Sequence, residues 1–131
     1  MRAKILLVDD DDLLRDIISI ALEDEETVEL RLAESGEEAV ALLSTSSWCP
    51  NLVLLDMHMP GMNGLETLAA LLPLPTTAET CFAMMSATID MEIEDLRPYG
   101  VSHIIQKPFS FDTIEETILG LLIPPRQTDR S

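Results

Sequence analysis

The chain predicts an open α/β fold, a parallel sheet covered by helices on both faces, and three observations carry that prediction. Short apolar runs alternate with stretches of helical periodicity along the whole length. Two of the runs, residues 4–8 and 52–55, proceed without a polar break after Lys4, as strands buried on both faces do. A helix candidate separates every pair of strand candidates, which calls for right-handed crossovers and a parallel sheet.

Residues 4–8 form the first strand and end on Asp9-Asp10-Asp11-Asp12. Leu14, Ile17, Ile18, Ala21 and Leu22 then recur at three- and four-residue spacing, with Arg15, Asp16 and Glu23 opposite, which predicts an amphipathic helix. Asp11 and Asp12 suit its first turn, where carboxylates meet the positive end of the helix dipole. Asp9 and Asp10 precede the helix, so capping does not explain them. Residues 27–32 alternate with period two, the pattern of an edge strand with one wet face. Ser35 and Glu38 match the S-x-x-E capping box and open a helix over 35–44, with Ala39, Leu42 and Leu43 as its stripe. Residues 44–50 read as a loop.

Residues 52–55 lead into Asp56 where a strand meets the turn-rich segment containing Pro60, Gly61, Asn63 and Gly64. Gly64 opens a short helix carrying Leu65, Leu68, Ala69 and Leu72, stopped by Pro73. Residues 81–85 form a buried strand ending on Ser86. A short helix over 90–96 cannot pass Pro98, and the last strand spans 101–105. Gln106-Lys107-Pro108-Phe109 closes it. A final helix starts near Ser110 and carries Phe111, Ile114, Ile118, Leu121 and Leu122. Residues 124–131 are polar and unpatterned, a C-terminal tail or truncated linker. The expectation is five strands and five helices in one domain over 1–123, with the tail at 124–131.

Composition narrows the function. A chain of 131 residues suits one core, and 47% hydrophobic residues are too many for a disordered segment. No apolar run reaches the roughly 18 residues of a membrane span, and the start lacks a signal-peptide cleavage site. A cytoplasmic location without a membrane partner is expected. A net charge of −16 repels phosphate backbones, so the domain is not expected to bind nucleic acid directly. Cys49 and Cys81 lack metal-ligand spacing, start strands at the end away from Asp56, and read as buried thiols without a disulfide.

Parallel strands share a direction, so the residues just past their C-terminal ends share one edge, where ligands bind in open α/β sheets. Those residues are Asp9 and Asp10, then Asp56, Ser86 and Lys107. Clustered carboxylates need a cation or raised pKa values, and a hard divalent ion such as Mg²⁺ takes oxygen ligands. With that charge balanced, one carboxylate oxygen can attack a phosphoryl group while Lys107 and the Ser86 hydroxyl neutralise the transferring oxygens.

The pieces Leu7-Val8-Asp9-Asp10, Leu55-Asp56-Met57-His58-Met59-Pro60-Gly61-Met62-Asn63-Gly64, Met85-Ser86-Ala87 and Lys107-Pro108-Phe109 stand in an order and spacing that resembles the receiver domain of two-component response regulators. The resemblance implies a doubly wound, flavodoxin-like sheet of strand order 2-1-3-4-5. It implies that Asp56 is the phosphoacceptor, charged by a sensor histidine kinase or phosphotransfer domain. Asp10 would bind Mg²⁺ directly and Asp9 mainly through water. Asp56 would be the second carboxylate ligand and the His58 backbone carbonyl the third protein ligand, with the His58 imidazole outward. Ser86 and Lys107 would contact the phosphoryl oxygens, and Lys107–Pro108 would be cis. His58 and Thr88 would tune the lifetime of the phosphorylated state. Such a domain is a switch and no conventional enzyme. It assists its own phosphorylation and dephosphorylation and signals through the face of helix 4, strand 5 and helix 5 to an output domain or partner protein.

Two departures bear on that face. Ile104 stands where the family often has Tyr or Phe, and Ser102-His103-Ile104 replaces an acidic and aromatic pattern. Readout is therefore expected in the loop over 86–90 and the fourth helix, with little rotamer change at Ile104. A phosphatase of the haloacid dehalogenase type would also use a strand-end Asp with Mg²⁺, but Asp9-Asp10-Asp11 is followed by Asp12 and Leu13 where that class has Gly, Thr or Val. A non-phosphorylated scaffold receiver is the other alternative, against which the presence of all five site residues argues.

Overall fold

The computed structural model describes residues 2–87 and 93–122. Along the chain run β1 (Ala3–Val8), α1 (Asp12–Leu22), β2 (Val28–Ala33), α2 (Gly36–Thr45), β3 (Leu52–Asp56), α3 (Gly64–Leu71), β4 (Cys81–Ser86), α4 (Ile93–Leu96), β5 (His103–Gln106) and α5 (Phe111–Leu121). Two single 3₁₀ turns lie at Pro75–Thr77 and Arg97–Tyr99. The strands form one parallel sheet in the order β2-β1-β3-β4-β5. This is the doubly wound architecture the sequence predicts, and among the described residues its fourth helix covers Ile93–Leu96, before Pro98.

The pleat sorts the sheet into two cores. Leu6 and Val8 of β1, Val53 and Leu55 of β3, and Phe82 and Met84 of β4 pack with α2 and α3 through Ala39, Leu43, Leu68 and Leu71. Ile5, Leu7, Leu52, Leu54, Ala83 and Met85 face the other way, onto Leu14, Ile18 and Leu22 of α1 and Ile114 and Ile118 of α5. Every residue of β3 is buried, as its unbroken apolar run requires.

The helix starts follow their caps. Asp11 accepts N–H bonds from Leu13 and Leu14 at 3.0 and 3.4 Å. Ser35 accepts the Glu38 N–H at 3.0 Å, while the Glu38 carboxylate reaches back one residue further than a capping box predicts, to the Glu34 N–H. The complete box belongs to α3, between Asn63 and Glu66.

Several details differ from the sequence expectation. Arg15 is buried, where periodicity assigns it to the polar face of α1. α3 buries Thr67 and Leu71 and exposes Ala69 and Leu72. Thr67 tolerates burial because its hydroxyl donates to the Asn63 carbonyl at 2.8 Å. β5 begins two residues late, because Val101 N–H turns back to the Leu96 carbonyl and only Ser102 joins the ladder, to Phe82. The wet face of β2 is partly roofed by Trp48, predicted as loop. Its ring lies 4.5 Å under the Arg31 guanidinium and its N–H donates to Glu29. Neither thiol is buried. Cys49 is exposed on the loop before β3, and Cys81 is half-buried at the start of β4. Residues 90–92 of the expected fourth helix, Thr88 and the tail at 124–131 lie outside the described residues.

The turn after Asp56 is closed tightly. Gly64 N–H donates to the Met57 carbonyl at 2.8 Å. A Cβ on Gly64 would meet the Asp56 carbonyl oxygen at 2.6 Å and Met57 Cα at 2.8 Å, backbone atoms that cannot swing aside. We expect Gly64→Ala to lower unfolding stability by about 1–3 kcal/mol through overpacking. Gly120→Ala, with open space around its would-be Cβ, should raise stability by up to about 1 kcal/mol. Urea denaturation of both variants checks the pair.

Candidate functional site

Three backbone bonds carry the sheet one residue past its strands and hold the first residues of the loops in place. Asp9 N–H donates to Ala33 O at 3.1 Å, Met57 N–H to Met85 O at 2.9 Å, and Lys107 N–H to Ser86 O at 2.8 Å. In the β1–β3 register Val8 faces Leu55, so Asp9 and Asp56 emerge side by side. Oxygens of Asp9, Asp10 and Asp56 lie within 4.8 Å of one another. Asp9 is wholly buried, Asp56 nearly so, and Asp10 is exposed.

Lys107 enters from the β5–α5 turn, whose Lys107–Pro108 bond is cis, as expected. Its Nζ lies 3.0 Å from Asp9 Oδ2 and 3.1 Å from Asp56 Oδ1. The other Asp9 oxygen accepts the Asp11 N–H at 2.9 Å. Burial pushes the Asp9 carboxyl above its usual range. The bonds from Asp11 and Lys107 pull it back in part, and the Asp56 charge adds to the rise. Burial alone would lower the Lys107 ammonium, but its bonds to Asp9 and Asp56 outweigh that and hold it above its ordinary value.

Ser86 is buried at the end of β4, one residue beyond the Asp56–Met85 register pair. His58 is exposed two residues past Asp56. The structure thus brings Asp9, Asp10, Asp56 and Lys107 into direct proximity and sets Ser86 beside them. His103, which its position just after Gly100 predicts to be an exposed loop or edge residue, instead lies half-buried within edge strand β5, where burial and the nearby Arg97 lower its pKa. One residue of the site escaped the sequence reading. Arg15 donates from Nη1 to the Asp9 carbonyl oxygen at 2.7 Å and pairs through Nη2 with Asp12.

Three carboxylates against one ammonium leave a net negative site made of hard oxygen donors, one of them open to water. That donor set fits a divalent cation such as Mg²⁺, which keeps several waters.

The family described as "Response regulator receiver domain" matches residues 5–119. The chain belongs to that family. It is a phosphorylation-controlled switch module of two-component signalling, and the haloacid dehalogenase reading falls away. Among similar proteins, the chemotaxis protein CheY of Listeria monocytogenes is 30% identical over 115 residues, covering 88% of this chain and 94% of its own. Sporulation initiation phosphotransferase F of Bacillus subtilis is 29% identical over 118 residues, covering 90% and 92%. The solved structure of the chemotaxis response regulator CheY4 of Vibrio cholerae superposes with a TM-score of 0.79 at 26% identity, covering 94% of this receiver and 100% of that chain. Among the described residues no helix is long and apolar enough to cross a membrane.

The raised Asp9 carboxyl sets a pH dependence for the metal-free receiver. The folded pKa lies above the unfolded value of 3.8, so the folded state holds this proton more tightly. The resulting stability is complete below pH 3.8 and is lost as pH rises through the folded pKa. Asp9→Asn should remove that part of the slope. Thermal melts of both proteins in chelator across the acid range check it; parallel curves would contradict it.

Proposed function

We propose that Asp56 is the phosphoacceptor, and that Asp9, Asp10, Ser86 and Lys107 make its phosphorylation possible. The carrying observation is the Lys107 ammonium shared between the carboxylates of Asp9 and Asp56 inside an acidic cluster. A cation held there is poised for oxygens that gain negative charge. Asp10 directly, Asp9 mainly through water, Asp56 and the His58 backbone carbonyl would hold Mg²⁺. Bound there, it supplies neutralisation of the phosphoryl oxygens.

The donor is a phosphohistidine of a sensor kinase or phosphotransfer domain. An Asp56 carboxylate oxygen attacks phosphorus, an O–P bond forms, the P–N bond breaks, and the imidazole leaves with the electron pair. Lys107 turns from the Asp56 oxygen to the phosphoryl oxygens while keeping its bond to Asp9. The Ser86 hydroxyl donates to another phosphoryl oxygen. Hydrolysis reverses the state: water attacks phosphorus, inorganic phosphate leaves, and the carboxylate returns. The protein thus catalyses changes only on itself. Residues 1–123 act as the receiver unit and 124–131 as a tail or linker, and an output domain or partner protein reads the face of α4, β5 and α5. The module works in the cytoplasm, without direct contact to membrane or nucleic acid.

With Mg²⁺ and acetyl phosphate, intact-mass measurement should find one phosphoryl group added, and none on Asp56→Asn. Mg²⁺ at about a hundred times its Kd should stabilise the fold by about 2.7 kcal/mol. Asp10→Ala should reduce that gain more than Asp9→Ala. Unchanged labelling of Asp56→Asn would refute the assignment.

A further inference from the structure

We propose that Arg15 is a positioning residue of the acid site, holding the Asp9–Asp10 peptide so that both carboxylates face one cation; this rests on the Mg²⁺ reading above. Arg15 stands on the sheet side of α1, one turn past the Asp11 cap, and only 8% of it is exposed. Burying a guanidinium is costly unless it is paired, and an apolar residue would fill the same place beside Leu14 and Ile18 without that cost. What the guanidinium provides is a particular bond. Nη1 donates to the Asp9 carbonyl oxygen across 2.7 Å, in a buried setting.

That carbonyl belongs to the peptide joining the two acidic residues, so its direction sets how Asp10 leaves the chain relative to Asp9. The bond completes the restraint of Asp9. Its N–H is held by Ala33 O, its Oδ1 by Asp11 N–H, its Oδ2 by Lys107 and its carbonyl by Arg15. Because Leu14, Ile18 and Leu22 seat α1 on the sheet, the acid loop is referenced to the core through Arg15. The opposite edge of the guanidinium pairs with Asp12 and lies 3.9 Å from Glu34 Oε2. These two carboxylates offset its positive charge, so it adds little repulsion toward a cation at the site.

Two effects of removing Arg15 oppose each other. Loss of a positive charge would tighten binding of a divalent ion, whereas loss of the peptide anchor would weaken it. With Asp12 and Glu34 offsetting the charge, the anchor decides. Outer partners that orient metal ligands are worth about 10–100-fold in affinity.

The test is calorimetric titration of Mg²⁺ alone into metal-free wild type, Arg15→Lys and Arg15→Gln at fixed ionic strength, with circular dichroism reporting that each is folded. Arg15→Gln should bind Mg²⁺ roughly tenfold more weakly. Arg15→Lys, whose ammonium can still reach the Asp9 carbonyl, should recover part of the loss and sit roughly threefold below wild type. Should Arg15→Gln not fold, the Lys variant alone decides by the same criterion. Unchanged affinity in the folded variants would assign Arg15 to helix packing and overturn the proposal. Tighter binding would assign it to field effects and overturn it equally. Absence of Mg²⁺ binding by wild type would overturn the site reading itself, and this proposal with it.

Discussion

The rest of this structure depends on the Lys107 ammonium held between Asp9 and Asp56, 3.0 and 3.1 Å from their oxygens. Carboxylates packed this closely, with Asp10 alongside, repel one another, and burial of Asp9 and Asp56 removes the water that would screen them. One cation reduces that repulsion without cancelling it. The residual negative charge is a cost in stability that a divalent cation would offset.

The scaffold sustains this conflict through rigidity just behind it. All of β3 is buried, and ladder bonds run one residue past the strands at Asp9, Met57 and Lys107. Gly64 lets the chain return against the Asp56 carbonyl where no side chain would fit. The site residues therefore stand at the ends of stiff elements, with the Lys107 and exposed Asp10 side chains at the rim of the site. Charge repulsion concentrated at one sheet edge and consistency elsewhere is what a functional site built on an ordinary fold shows.

Much of this was legible in the sequence for a simple reason. Strand interiors are apolar, so the first polar residue after each run marks the sheet edge, which picks out Asp9, Asp56 and Ser86; Lys107 follows one residue later, after Gln106. The Asp11 and Ser35 caps carried equally local signals. What escaped was decided by partners distant in sequence or by satisfied polar groups. Periodicity assigns any Arg to solvent, yet Arg15 is buried because a backbone carbonyl six residues earlier accepts from it. Thr67 goes inside because its hydroxyl is satisfied within its own helix. Trp48 in a loop gave no periodic signal, although it covers β2 through Arg31 and Glu29. The Asn63–Glu66 box was readable and lay hidden behind the turn signals of Gly61 and Gly64.

The central claim is that the carboxylate sharing Lys107 with Asp9 is the one that accepts phosphorus. Reduction of the phosphorylated wild-type protein with borohydride converts an aspartyl phosphate to homoserine, and peptide mass spectrometry locates it. The account predicts homoserine at position 56 and at no other aspartate. Homoserine at position 9 or 10, with 56 unaltered, would contradict it.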